Sequence, residues 1–230
     1  MKPRNKAINA LYIIGNSYSA TTPQTAPLMW PGMLAIKLRL GFVQARNAAV
    51  ASAQLFDVEG KPGLITQLRR LPAIPLRPAR ARQKALLVIW LFPNLVPPLT
   101  PDAWPCYTSG IDLAHQIGFR KVFMPNLPDI TKTTFYKTHA TPAQNAGYRT
   151  AYSEFNAQYA RMISGFRQRY RDTIYGAIDL WPLWDGTGTI ADGFHPNTAS
   201  HRLFAGWFYD SIVKRRPRRS RAHHIRQSGT

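Results

Sequence analysis

Cysteine is nearly absent from this sequence: one residue, Cys106, in 230. A single thiol excludes an intrachain disulfide and argues against a cysteine-based metal site. Its neighbours in Trp-Pro-Cys-Tyr include no His or basic residue to lower its pKa, so it is not expected to act as a nucleophile. Acidic residues are scarce as well, 11 against 30 Lys and Arg, which leaves a formal charge of +19. Long apolar runs are missing: none approaches the roughly 20 residues needed to span a bilayer. The chain also lacks a secretory pattern. Met1 to Lys6 is basic, but the apolar stretch behind it is short and runs into Gly15-Asn16-Ser17. The expectation is a cytoplasmic product or a chain without its leader. His115, His139, His201, His223 and His224 show no metal-ligand spacing with carboxylates, so neither a metal nor a cofactor is expected.

What is present is a core. The 45% hydrophobic and 12% aromatic residues argue against global disorder, and the length suits one large domain. The positive charge is clustered. Arg69, Arg70, Arg77, Arg80, Arg82 and Lys84 share one proline-interrupted segment. Lys214, Arg215, Arg216, Arg218, Arg219, Arg221 and Arg226 crowd the C-terminus. Such runs attract phosphates, in nucleic acid or on an anionic membrane, and equally describe a solvated loop and tail. The reading divides the chain into a domain over 1–213 and a basic, disordered tail over 214–230.

Strand-like and helix-like segments alternate, which predicts an α/β fold with a mostly parallel sheet. Strands are predicted near Leu11 to Ile14, Phe42 to Ala49, Ala85 to Leu91, Arg120 to Met124 and Thr173 to Leu180. The run Ala-Leu-Leu-Val-Ile-Trp-Leu at 85–91 is continuously apolar, as a buried parallel strand requires. Helices are predicted after Pro27, near Leu64 to Leu71, over Leu113 to Ile117, over Ala146 to Tyr170, and from Pro196 or Asn197 onward. In the fourth of these, Phe155, Tyr159, Met162, Ile163 and Phe166 recur at helical spacing and read as core.

Parallel sheets carry functional loops at the C-terminal ends of their strands. Polar clusters fall at such ends: Gly15-Asn16-Ser17, Asn47 to Ala53, Asn94, and Asp192-Gly193-Phe194-His195-Pro196. Acyl transfer needs a nucleophile, a base, a group that orients the base, and donors for the oxyanion. Ser17, His195 and Asp192 supply the first three types, and the Asn94 amide is a candidate donor. Asn47 reads as structural. Tyr18, beside the nucleophile, is the candidate for lining an acyl or alcohol pocket.

These strings resemble a family. GNSYS, NAAVASA, LFPNL, MPNLPD and DGFHPNTASHRL are similar, in order, to the blocks of the GDSL esterase/lipase family, also called SGNH hydrolases. The resemblance runs from about Leu11 to Ile212, and the last block is the most specific. It implies a three-layer α/β/α fold with a five-stranded, flavodoxin-like parallel sheet. It implies Ser17 as nucleophile, rather than Ser19, His195 as general base and Asp192 as its orienter. The oxyanion donors implied are the backbone N–H of Ser17, the backbone N–H of Ser52 and the side chain of Asn94. The implied activity is hydrolysis of carboxylic esters through an acyl-enzyme, on a lipid, short-chain acyl or acetyl ester.

Departures accompany the match. Asn16 replaces the family's aspartate, Ala51 and Ser52 replace glycines, and Phe92 and Leu95 replace a glycine and an aspartate around Asn94. A backbone donor survives loss of glycine, but a required positive φ costs about 1 kcal/mol or more. The alternative is a catalytically weakened or inactive protein on the same fold, binding nucleic acid or anionic membrane through its basic loop and tail.

Overall fold

The computed structural model describes residues 8–22, 24–41, 45–71, 84–92 and 102–213. Five strands form one sheet: β1 (Ala10–Gly15), β2 (Ala45–Asn47), β3 (Ala85–Trp90), β4 (Lys121–Pro125) and β5 (Ile174–Ile178). Their order is β2-β1-β3-β4-β5 and every pairing is parallel. This is the flavodoxin-like order. Every residue of β1 and β3 is buried, because helices cover both faces of the sheet.

The helices are α1 (Trp30–Lys37), α2 (Leu64–Arg70), α3 (Ala103–Gln116), α4 (Thr134–His139), α5 (Pro142–Arg169) and α6 (Thr198–Val213). On one face α1 meets α6, where the Trp30 and Phe208 rings lie 5.0 Å apart, and Phe208 reaches Trp90 and Phe123 on the sheet. On the other face α2 packs on α3, and Trp104 and Tyr107 of α3 contact Phe155 and Tyr159 of α5. The three-layer expectation therefore holds. The aromatic stripe of α5 is core: Phe155, Tyr159, Ile163 and Phe166 are buried.

Several boundaries differ from the sequence reading. Helix α3 covers 14 residues rather than the last few. Pro105 lies in its first turn, where a missing N–H is not needed, so the proline starts the helix instead of interrupting it. Helix α5 begins four residues early. Thr141 accepts from the Gln144 N–H while the Gln144 side chain accepts from the Thr141 N–H, a reciprocal cap. Strand β2 ends at Asn47, whose side chain accepts from the Ala49 N–H and turns the chain. Helix α4 has no counterpart in the sequence reading. Phe42, most of the basic loop, Asn94 and the 214–230 tail lie outside the described residues.

Candidate active site

Strand β1 ends where Gly15 pairs with Trp90 of β3. A Cβ at Gly15 would sit 2.6 Å from Ser19 Oγ and 2.8 Å from the Trp90 carbonyl, so the close approach demands glycine. Gln67 of α2, fully buried, clamps this glycine: its Oε1 accepts from Gly15 N at 3.0 Å and its Nε2 donates to Gly15 O at 3.1 Å. The chain then turns sharply. The Asn16 carbonyl accepts from the N–H groups of Ser19 and Ala20, its Oδ1 accepts from Tyr18 N, and its Nδ2 donates to Phe92 O. Asn16 is thus a buried turn-former, and Ser17 projects half-buried from the turn.

The second half of the site is the 187–197 segment, folded back on itself. Ile190 N donates to His195 O, Gly193 N donates to Ile190 O, and Asn197 N donates to Gly188 O. Gly193 holds a φ of 70°, and Gly188 one of 69°. Asn197 caps α6 by accepting from Ser200 N. Asp192 Oδ1 accepts from the N–H groups of Phe194 and His195, at 2.8 and 2.9 Å. Its Oδ2 lies 2.5 Å from His195 Nδ1. On the far side of the imidazole, Nε2 lies 2.9 Å from Ser17 Oγ.

A continuous path therefore joins Ser17, His195 and Asp192 across 178 positions of sequence. Partial burial opposes ionisation of Asp192, but the hydrogen bonds from His195 and the two backbone N–H groups outweigh it and hold its carboxyl below the usual range. An ionised Asp192 accepts the Nδ1 proton, which leaves Nε2 as the basic nitrogen facing Ser17.

Ser52 adopts a φ of 62°, the left-handed conformation anticipated for a glycine position. Its loop is fastened to the turn that carries Ser17 by Val50 N donating to Gly15 O. Asn47 is structural, as expected: its Nδ2 donates to Ser19 O and Thr21 Oγ1. Asn94 lies outside the described residues, although Phe92 just before that segment is buried against Tyr18 and Trp90. Cys106 donates to Leu55 O, and burial pushes its thiol up to about 11, in keeping with an unreactive side chain.

One expectation is overturned. Tyr18 does not line an open pocket. It is 1% exposed, its ring lies among Trp90, Phe92, Trp184, Phe194 and His195, and its hydroxyl donates to Phe194 O. The turn that lifts Ser17 outward sends the next side chain inward. Sequence reasoning also missed Gln67 and Phe135. A buried amide has no periodic signal, and Phe135 reaches the 187–197 segment only through α4. In the NLPD segment, Asn126 accepts from Leu180 N and donates to Asp179, while buried Asp129 pairs with Arg149 at 3.2 Å. Together these hold the turn that leads into α4, and Phe135 N there donates to Gly193 O beside the catalytic candidates.

A parallel doubly wound sheet with a Ser-His-Asp path at its carboxyl edge defines a class of hydrolase-like proteins. Within it the sequence matches the family described as GDSL-like Lipase/Acylhydrolase over residues 13–208, and the chain belongs to that family. Solved structures share the fold. A member of the lipolytic protein G-D-S-L family from Veillonella parvula DSM 2008 is similar with a TM-score of 0.56 at 14% identity, over 90% of this chain and 99% of that one. A family two carbohydrate esterase from Clostridium thermocellum, in complex with cellohexaose, is similar with a TM-score of 0.57 at 15% identity, over 90% of this chain and 64% of that one. A carbohydrate esterase family 3 protein from Talaromyces cellulolyticus has a TM-score of 0.55 at 14% identity, over 90% and 97% of the two chains. A search of curated protein sequences finds no match.

Proposed function

We propose that the chain is a serine hydrolase of carboxylic esters working through an acyl-enzyme. Ser17 Oγ attacks the ester carbonyl carbon while His195 Nε2 takes its proton. Asp192 keeps the imidazole in the required tautomer and stabilises the imidazolium. The oxyanion is held by the backbone N–H groups of Ser17 and Ser52 and by the Asn94 amide. As the carbonyl–oxygen bond breaks, the imidazolium returns the proton to the leaving alcohol. Water, deprotonated by His195, then attacks the acyl-enzyme, and the imidazolium returns that proton to Ser17 Oγ as the acid leaves.

The observation that carries this reading is the unbroken path from Ser17 Oγ at 2.9 Å to His195 and at 2.5 Å to Asp192. Membership of the acylhydrolase family agrees with it. The alternative, binding to nucleic acid or an anionic membrane, rests on a basic loop and tail mostly outside the described residues, so the site geometry favours the hydrolase.

The test is hydrolysis of p-nitrophenyl acetate, butyrate and octanoate by wild type, Ser17→Ala and Asp192→Asn. Activity of Ser17→Ala falls to background, and kcat of Asp192→Asn falls by roughly 10³–10⁴. A folded Ser17→Ala protein as active as wild type overturns the assignment.

A further inference from the structure

The geometry points to Phe135 as the residue that selects the alcohol portion of the ester, favouring aryl and other apolar alcohols; this inference rests on the hydrolase reading above. The leaving oxygen must come within hydrogen-bond reach of His195 Nε2 to receive its proton. The alcohol arm of the substrate therefore extends on the His195 side of the site.

What stands on that side is aromatic. The Phe194 ring lies 5.1 Å from the His195 ring, edge to face. The Phe135 ring lies 5.7 Å from Phe194. A lone exposed phenylalanine needs no explanation. This one is built into place. The His139 ring stacks on it at 4.5 Å, Tyr136 meets it edge to face at 5.7 Å, and its own N–H donates to Gly193 O at 3.0 Å. Gly193 lets the helix approach: a Cβ there would meet Phe135 N and Thr134 Cβ, each at 3.1 Å. With neighbours on several sides, Phe135 still leaves 39% of its surface open. Beside it, His195 and Asp192 are also partly open, with side-chain exposures of 36% and 42%.

A rigid, partly exposed ring, whose backbone is bonded to Gly193 two residues before His195, binds by apolar contact without first losing rotamer freedom. Tyr18, whose hydroxyl is turned into the protein, offers no such surface. An apolar contact of this kind discriminates by roughly 10-fold or more between a bulky apolar group and a methyl.

The test holds the acyl group constant. Wild type and Phe135→Ala are assayed with methyl, butyl and benzyl acetate. The wild-type kcat/KM ratio of benzyl over methyl acetate exceeds 1 and falls about 10-fold in Phe135→Ala, chiefly through KM for the benzyl ester. Phe135→Leu retains part of the ratio. An unchanged ratio in Phe135→Ala overturns the inference. So does a change confined to an acetate-to-butyrate comparison with one fixed alcohol. Binding of benzyl alcohol, followed by NMR of the Phe135 and Phe194 rings, separates the two readings. Perturbation of both rings in wild type, lost at Phe194 in Phe135→Ala, supports the apolar surface even if the esters are not hydrolysed. Ester hydrolysis with no perturbation at these rings overturns the surface and leaves the hydrolase standing.

Discussion

The Tyr18 hydroxyl donates a 3.0 Å hydrogen bond to the carbonyl oxygen of Phe194, joining the residue after Ser17 to the residue before His195. The two halves of the site come from opposite ends of the chain, and this bond sets their separation from beneath. Burial first, then nearby Tyr136 and Asp192, raise the Tyr18 pKa, so the phenol remains a donor.

Tyr18→Phe keeps the ring and removes only this bond. We expect kcat to fall roughly 10-fold with little change in KM, because a small displacement of His195 from Ser17 costs rate more than binding. The His195 Nδ1 proton, read by NMR, shifts or exchanges faster in the variant. Wild-type kinetics and an unmoved proton together would show that the bond is merely structural. Loss of this part-buried bond lowers stability by about 1 kcal/mol.

Gly15→Ala places a methyl against Ser19 and against the Trp90 carbonyl, which belongs to a central strand and cannot move aside. The expected loss of unfolding free energy is about 1–3 kcal/mol in a denaturant titration. Activity falls as well, since the same contact disturbs the turn that carries Ser17. A variant as stable as wild type would show that the turn relaxes at no cost.

His201 is 4% exposed, and its Nδ1 has no hydrogen-bond partner among the described residues. Burial first, then the nearby His195, push its pKa down from the usual value to about 4. A lowered folded-state pKa means that the unfolded chain binds the proton more readily. The stability from His201 is therefore complete above about pH 6.5 and is lost as pH falls from there to about 4, by up to roughly 3 kcal/mol. His201→Leu flattens the dependence of unfolding free energy on pH across that window. An unaltered slope in the variant would assign the acid sensitivity to other groups.

Local sequence carried much of the fold. The apolar runs at 10–15 and 85–90 are strands because a sheet covered on both faces needs continuous apolar side chains, and that pattern is visible without coordinates. The cap that starts α5 was also written in Thr141-Pro-Ala-Gln144. Helix α3 was harder to read, because Pro105 looks like a break until its place in the first turn is known.

For the site, the residue types and their order along the chain pointed to Ser17, Asp192 and His195, and the Asp192–His195 bond is local, spanning three positions. A short turn between two such groups is governed by nearby backbone geometry, so sequence alone can anticipate it. The approach of Ser17 to His195 is different in kind. It depends on the order of the strands, on the Gln67 clamp and on the Tyr18 latch, none of which has a local signature. The same is true of Tyr18 itself. Whether the residue after Ser17 faces solvent or core depends on which way the turn rolls over Gly15, and packing against Trp90, Phe92 and Trp184 sends it inward. The sequence determined the strands, the loops and the chemical groups they carry. Only tertiary packing decided which of those groups meet and which side chains remain open to a substrate.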